Sequence, residues 1–140
     1  LVQRDADYVL DDQIGYVLRL ASQRHAVIFQ NHVSDLTATQ FSTLIRISEH
    51  GQVSQNHLGR LAAMDVATIK GVVDRLKAKG LVRSLPDPND KRRSSITLTE
   101  DGQAMITQLK RDGAVISADT LAPLKPAEQK TLLALLKRIT

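Results

Sequence analysis

Apolar positions along the chain recur mainly at helical spacing, interrupted by short polar stretches that carry capping and turn chemistry. Leu10, Ile14, Val17, Leu18, Ala21, Ile28 and Phe29 fall on one stripe. They predict a first helix over 11–33, opening at Asp11 or Asp12 as cap. The pattern breaks between Asn31 and Asp35. Thr37 with Gln40 three residues later is a capping box for a second helix, with Leu36 and Phe41 as its staple and Gly51 as its stop. Ser54 caps a short third helix carrying Leu58, Leu61 and Ala62, which is expected to end near Ala63 and Met64. Asp65 caps a fourth, with Val66, Ile69, Val72, Val73 and Leu76 as its inner face and Gly80 at its end.

After Gly80 the period changes. Leu81–Leu85 reads as a short strand, and Ser95-Ile96-Thr97-Leu98 alternates as a half-buried strand does. Pro86–Arg93 between them includes Pro86, Pro88, Asn89 and Asp90, which make a loop with a basic tip. Thr99 then caps a long helix through Met105, Ile106, Leu109, Ile116 and Leu121, weakened at Gly113. Pro126 opens a last helix whose Leu132, Leu133, Leu135, Leu136 and Ile139 cover a broad apolar arc. So wide an arc, together with the start of the first helix, suggests a partner-facing surface; intramolecular core is the alternative. Two helices joined by a very short turn and followed by a basic-tipped hairpin make a winged helix-turn-helix. The expected fold is mainly α with a small β-hairpin wing and flanking helices, a single domain over 1–140. Residues 36–99 form the winged part, and 11–33 and 100–140 the flanking helices.

Charge sharpens this picture. The net charge is only +4, but Arg60–Arg93 holds nine bases against four acids, while the rest of the chain nets −1. Positive charge concentrated in a quarter of the chain suits a polyanion, although a solvated basic face reads the same way. The chain has no cysteine, which excludes disulfides, thiolate metal sites and cysteine redox switches. No window approaches a membrane span, and Leu1–Asp7 is polar, so a cytoplasmic protein with no membrane partner is expected. No Gly-rich phosphate loop, metal-type acid cluster or nucleophile with a spaced base appears, so an enzyme is not expected, nor a cofactor.

The run from Thr37 to Gly102 resembles the MarR family of bacterial transcription regulators, and the flanking helices fit the same layout. The resemblance rests on Leu36-Thr37-Ala38-Thr39-Gln40-Phe41, on Val72-Val73-Asp74-Arg75-Leu76 with Gly80-Leu81-Val82, and on Asp87-Pro88-Asn89-Asp90-Lys91-Arg92-Arg93 closed by Leu98-Thr99-Glu100-Asp101-Gly102. It implies a homodimer, with 11–33 and 100–140 as its flanking dimerisation helices, that binds double-stranded DNA at a pseudo-palindrome, the fourth helix in the major groove and the wing in the minor groove. Arg92 matches the wing arginine, with Arg93 its neighbour, Lys91 beside them, and Asp90 the acid that braces the tip. A loop cation entering a narrow, negative groove is also what the residues alone suggest. On the fourth helix, Lys70 is placed to meet a base edge or phosphate, Ala67 and Thr68 are small enough to approach a thymine methyl, and Arg75 suits a phosphate or internal ion pair. Ser54, Gln55 and Asn56 are candidate phosphate donors, with capping as their alternative role. Many family members carry arginine where this chain has Gly71, which shifts base reading to Lys70 and its neighbours or brings the helix closer to the DNA backbone.

The resemblance also implies a repressor released by a small molecule, with phenols and aromatic carboxylates the frequent effectors. Tyr16, Arg19, His25, Phe29, His32 and Phe41 are the candidate lining residues, with Arg24 a second cation for an aromatic acid. Core packing and satisfied interhelical histidines are the alternatives. A metal-responsive regulator is a rival, with His25 and His32 on one helix and His50 and His57 flanking a loop, but adjacent ligand spacing is missing. A ligand-independent or non-sequence-specific DNA binder is the remaining reading.

Overall fold

The computed structural model describes residues 7–90 and 92–140. It is mostly helical with a small antiparallel sheet, and the described residues divide into two compact units.

One unit spans Val33–Gly113. Helix α2, Ala38–His50, starts on a reciprocal capping box: the Gln40 amide donates to Thr37 Oγ1 and the Thr37 amide to Gln40 Oε1, both at 3.2 Å. It stops at Gly51, whose φ of 75° favours glycine. A strand β1, Gln52–Ser54, follows, which the sequence pattern does not predict. Helix α3, Gln55–Leu61, is capped by Ser54, which accepts from the His57 amide. It ends two residues earlier than expected, because the chain turns through Ala63 at φ 56°. Helix α4, Val66–Ala78, is capped by Asp65 through the Thr68 amide at 2.7 Å. Strands β2, Val82–Pro86, and β3, Ser94–Leu98, close the hairpin, and the sheet order is β1-β3-β2. Leu44, Ile47, Leu58, Ile69, Val73, Leu76 and Ile96 are its innermost side chains, none more than 1% exposed.

The base of the hairpin is locked. Thr99 Oγ1 donates to the Gly80 carbonyl at 2.6 Å and accepts from the Gly102 amide, while the Thr99 amide donates to the Leu81 carbonyl. A Cβ on Gly102 would collide with that same Leu81 carbonyl, so only glycine lets helix α5, Glu100–Leu121, start this close to β2. The first part of α5, through Gly113, belongs to this unit.

The other unit holds residues 7–32 with Ala114–Thr140. Helix α1 runs Ile14–His32, starting later than expected. Asp11 and Asp12 lie in a separate 3-10 turn over Leu10–Asp12, and extended Gln13 breaks it from the helix, so neither aspartate caps α1. Arg24 donates to the carbonyls of Thr120 and Asp119 at 2.7 and 3.0 Å, neutralising the negative end of α5. Helix α6, Pro126–Arg138, buries none of its residues. Leu132, Leu133, Leu135 and Ile139 are exposed, as are Ile14, Val17 and Leu18 of α1. Among the described residues no helix is long and apolar enough to cross a membrane.

Candidate nucleic-acid interface

The helix-turn-helix depends on a close approach. A Cβ on Gly59 would stand 3.2 Å from Ile69 Cγ2 and from the Met64 carbonyl oxygen, so α3 and α4 meet there at near-minimal distance. Arg46 of α2 fixes the other end of α3, its Nε donating to the Leu61 carbonyl at 3.0 Å and its Nη1 pairing with Glu49. Lys79 donates to the Asp35 carbonyl at 2.6 Å and anchors the end of α4.

On this frame, Ser54, Gln55, Asn56 and Arg60 of the α3 region face Arg92, Arg93 and Ser94 across a cleft of about 540 Å³. Polar donors and three guanidinium groups thus converge on one face of one unit. Arg60 was not singled out from the sequence; its position one turn after Asn56 is the signal that marks it.

On α4, Ala67, Thr68, Lys70, Asp74 and Arg75 are exposed. Val66 is also 68% exposed, contrary to its assignment to the inner face. It borders the small cleft between α3 and α4, where nothing covers the first turn. Lys70 Nζ is held by Asp74 Oδ2 at 2.9 Å, and this bond keeps the Asp74 carboxyl below the usual carboxylate range.

The wing tip is ordered by two aspartates. Asp87 Oδ1 accepts from the amides of Asn89 and Asp90, at 2.8 and 3.3 Å. Asp90 Oδ1 accepts from the Arg92 amide at 3.0 Å and from Arg92 Nε at 3.3 Å, while its Oδ2 lies 3.7 Å from Arg93 Nε. The Arg92 amide first, then its guanidinium, hold the Asp90 carboxyl below its ordinary value. A carboxylate with a depressed folded pKa contributes above its unfolded value, and the contribution goes only as pH falls through the depressed one. The brace is therefore fully charged near neutrality. Arg92 itself remains 91% exposed and reaches into solvent. Lys91 lies outside the described residues.

Arg92→Ala is expected to weaken binding to a specific duplex about tenfold and to reduce the slope of log affinity against log salt by about one. Fluorescence anisotropy across a salt series measures both. An unchanged slope would mean that the wing tip does not touch DNA.

The side chains marked for a small-molecule effector fall on both units. Phe41, on α2, has its ring beside Gly113, where a Cβ would stand 3.1 Å from Cζ. In the other unit Phe29 is buried, His25 Nδ1 meets Thr120 Oγ1 and His32 Nε2 meets Asp119 Oδ2, both at 2.9 Å. Arg19 lies over the Tyr16 ring at 5.3 Å, an exposed cation beside an aromatic face. His50 and His57 sit edge to face at 5.8 Å. Among the described residues no group of three or more His, Cys, Asp or Glu side chains gathers around a common point.

A model of the MarR family matches residues 36–94. The chain is 47% identical to a probable transcriptional regulator from Pseudomonas aeruginosa, whose crystal structure aligns with a TM-score of 0.90 over 94% of this chain and all of that one. It is 40% identical over 134 residues, 94% of this chain and 85% of the relative, to the HTH-type transcriptional repressor NicR of Pseudomonas putida. It is 37% identical to Bordetella bronchiseptica BpsR, with a TM-score of 0.89 over 94% of this chain and 96% of that one; that structure concerns regulation of BpsR DNA binding by 6-hydroxynicotinic acid. Matched in sequence along nearly its whole length, and in fold from the capped helix-turn-helix to the braced wing, the chain belongs to the MarR family of winged-helix transcription regulators.

Proposed function

We propose that this chain is a homodimeric repressor that binds a pseudo-palindromic operator and releases it when a small aromatic acid binds. The observation that carries the DNA reading is the cleft where the α3 donors and Arg60 face Arg92 and Arg93, all within one unit, with Asn56 and Arg60 also lining the smaller cleft at the first turn of α4. In this reading α4 enters the major groove with Ala67 and Thr68 toward the bases, Lys70 on a base edge or a phosphate and Arg75 on a phosphate, while Ser54, Gln55 and Asn56 hold phosphates, and Lys91, Arg92 and Arg93 reach the minor groove. A second copy of the chain supplies the other half-site. The uncovered apolar residues of α6 and of the start of α1 support the dimer, because a helix of this length with no buried residue is marginal alone.

The effector reading draws on BpsR, whose DNA binding is regulated by 6-hydroxynicotinic acid. Arg24, His25 and His32 already bond to the end of α5. Arg19, exposed over the half-buried Tyr16 ring, gives a pair that suits a carboxylate on an aromatic ring. The protein acts in the cytoplasm on this reading.

Anisotropy of labelled duplex from upstream of the protein's own gene tests the proposal, with 6-hydroxynicotinic acid and related aromatic acids titrated into the complex. Tight binding released by one acid supports both parts. Tight binding that no acid disturbs removes the effector reading and keeps the DNA one. Binding no tighter than to random duplex, even for sites selected from a random pool, rejects a sequence-specific regulator.

A further inference from the structure

The exposed face of α4 carries two cations with different surroundings. Lys70 is engaged by Asp74. Arg75 is exposed, and among the described residues no carboxylate lies within ion-pair distance of it, although its charge also helps to lower the Asp74 pKa. Side chains on a helix lean toward its N-terminus, so Arg75 reaches back over the position one turn earlier. That position is Gly71. A Cβ there would stand 3.2 Å from Arg75 Nη1 and, its chain neighbours and the helix's own backbone apart, within 4 Å of nothing else. The guanidinium thus occupies the space that a side chain at residue 71 would take, at the middle of the helix rather than at its end.

This placement matters chemically. A guanidinium laid along a helix surface presents a rigid fork of donors and has less freedom to lose on binding than one on an extended tether. Guanine offers O6 and N7 side by side in the major groove, the acceptor pair that such a fork matches. An ammonium already bonded to a neighbouring carboxylate would have to give up that bond to do the same.

We propose that Arg75, cradled by Gly71, is the base-reading cation of this regulator, and that it selects a guanine at one position of each half-site. Lys70, tied to Asp74, serves as a backbone contact. From residue types alone, Lys70 suits a base edge or a phosphate and Arg75 a phosphate or an internal ion pair; the placement of Arg75 over Gly71 favours the opposite division of roles. This assignment rests on the proposed entry of α4 into the major groove.

The test uses the full chain and selection from a random-sequence duplex pool, followed by titrations of the selected site and of its single-base variants at fixed salt. The wild-type protein is expected to require a G·C pair at one position per half-site. Arg75→Ala and Arg75→Lys should each lose about tenfold or more of the discrimination at that pair while random-duplex affinity changes little. Gly71→Ala keeps the Arg75 charge and improves helix propensity. It should weaken the same discrimination without lowering the melting temperature. The inference is overturned if Arg75→Ala weakens all sequences equally with a salt slope smaller by about one, the signature of a phosphate contact. It is also overturned if Lys70→Ala rather than Arg75→Ala erases the guanine preference. If the wild-type protein enriches no sequence, the major-groove reading fails, and this inference with it.

Discussion

Leu135→Glu is expected to convert the proposed dimer to monomer and to lower operator affinity by about 10²–10⁴, the range by which a linked second site raises avidity. In the single chain Leu135 is 51% exposed and lines a shallow apolar groove of about 410 Å³ with Leu124, Ala127, Thr131 and Leu132. A glutamate there stays in water while the chain is alone, so folding of the monomer is little affected. Covered by a second chain, it would lose hydration with no base beside it in the groove, which strongly disfavours association. Sedimentation velocity at micromolar concentration reads the assembly, and anisotropy reads the operator. A variant that remains dimeric and binds within threefold of wild type would place the interface elsewhere.

Leu58→Ala is expected to destabilise the winged unit by ~2–5 kcal/mol, out of a typical total of about 5–15 kcal/mol. Helix α3 has seven residues and buries only Leu58 and Gly59. Leu58 has no exposed surface, and Gly59 beside it lets Ile69 of α4 approach. Removing the isopropyl end of the side chain leaves a cavity that a short helix, fixed at one end by Ser54 and at the other by Arg46, cannot close by shifting. Urea unfolding at one protein concentration measures the loss, which keeps any contribution from association constant. Leu61→Ala, at a half-buried position, should cost distinctly less. Equal effects would mean that α3 is not anchored through Leu58.

Most of the winged unit could be read in the sequence because its helix ends carry local chemistry. Thr37 with Gln40, Ser54, Asp65 and Thr99 each need only their own next three residues to cap, and all four do so. Features that depend on distant partners were not legible. Gln52–Ser54 is too short to show alternation and is a strand only because it pairs with Ser95–Thr97. Val66 falls at the edge of the helical arc that buries Ile69 and Val73, but it sits in the first turn, where no other element lies over it. Asp11 and Asp12 are good cap residues, yet the chain there closes its own 3-10 turn. The interface followed the same division. The wing cations and the start of α3 were visible as residue types in order. The return of Arg75 over Gly71 was not, since it depends on a rotamer and on an absent side chain together.

The locked base of the hairpin has an evolutionary consequence. Thr99, Gly80, Leu81 and Gly102 fasten β2 to the start of α5 without any help from the tip. The tip can therefore lengthen or shorten while its foundation stays in place. Doubling an unstructured loop costs only about 0.6 kcal/mol in closure entropy. How far the hairpin extends can thus drift between lineages almost independently of the helices beneath it, so that descendants of one scaffold can come to serve operators whose minor grooves differ in width.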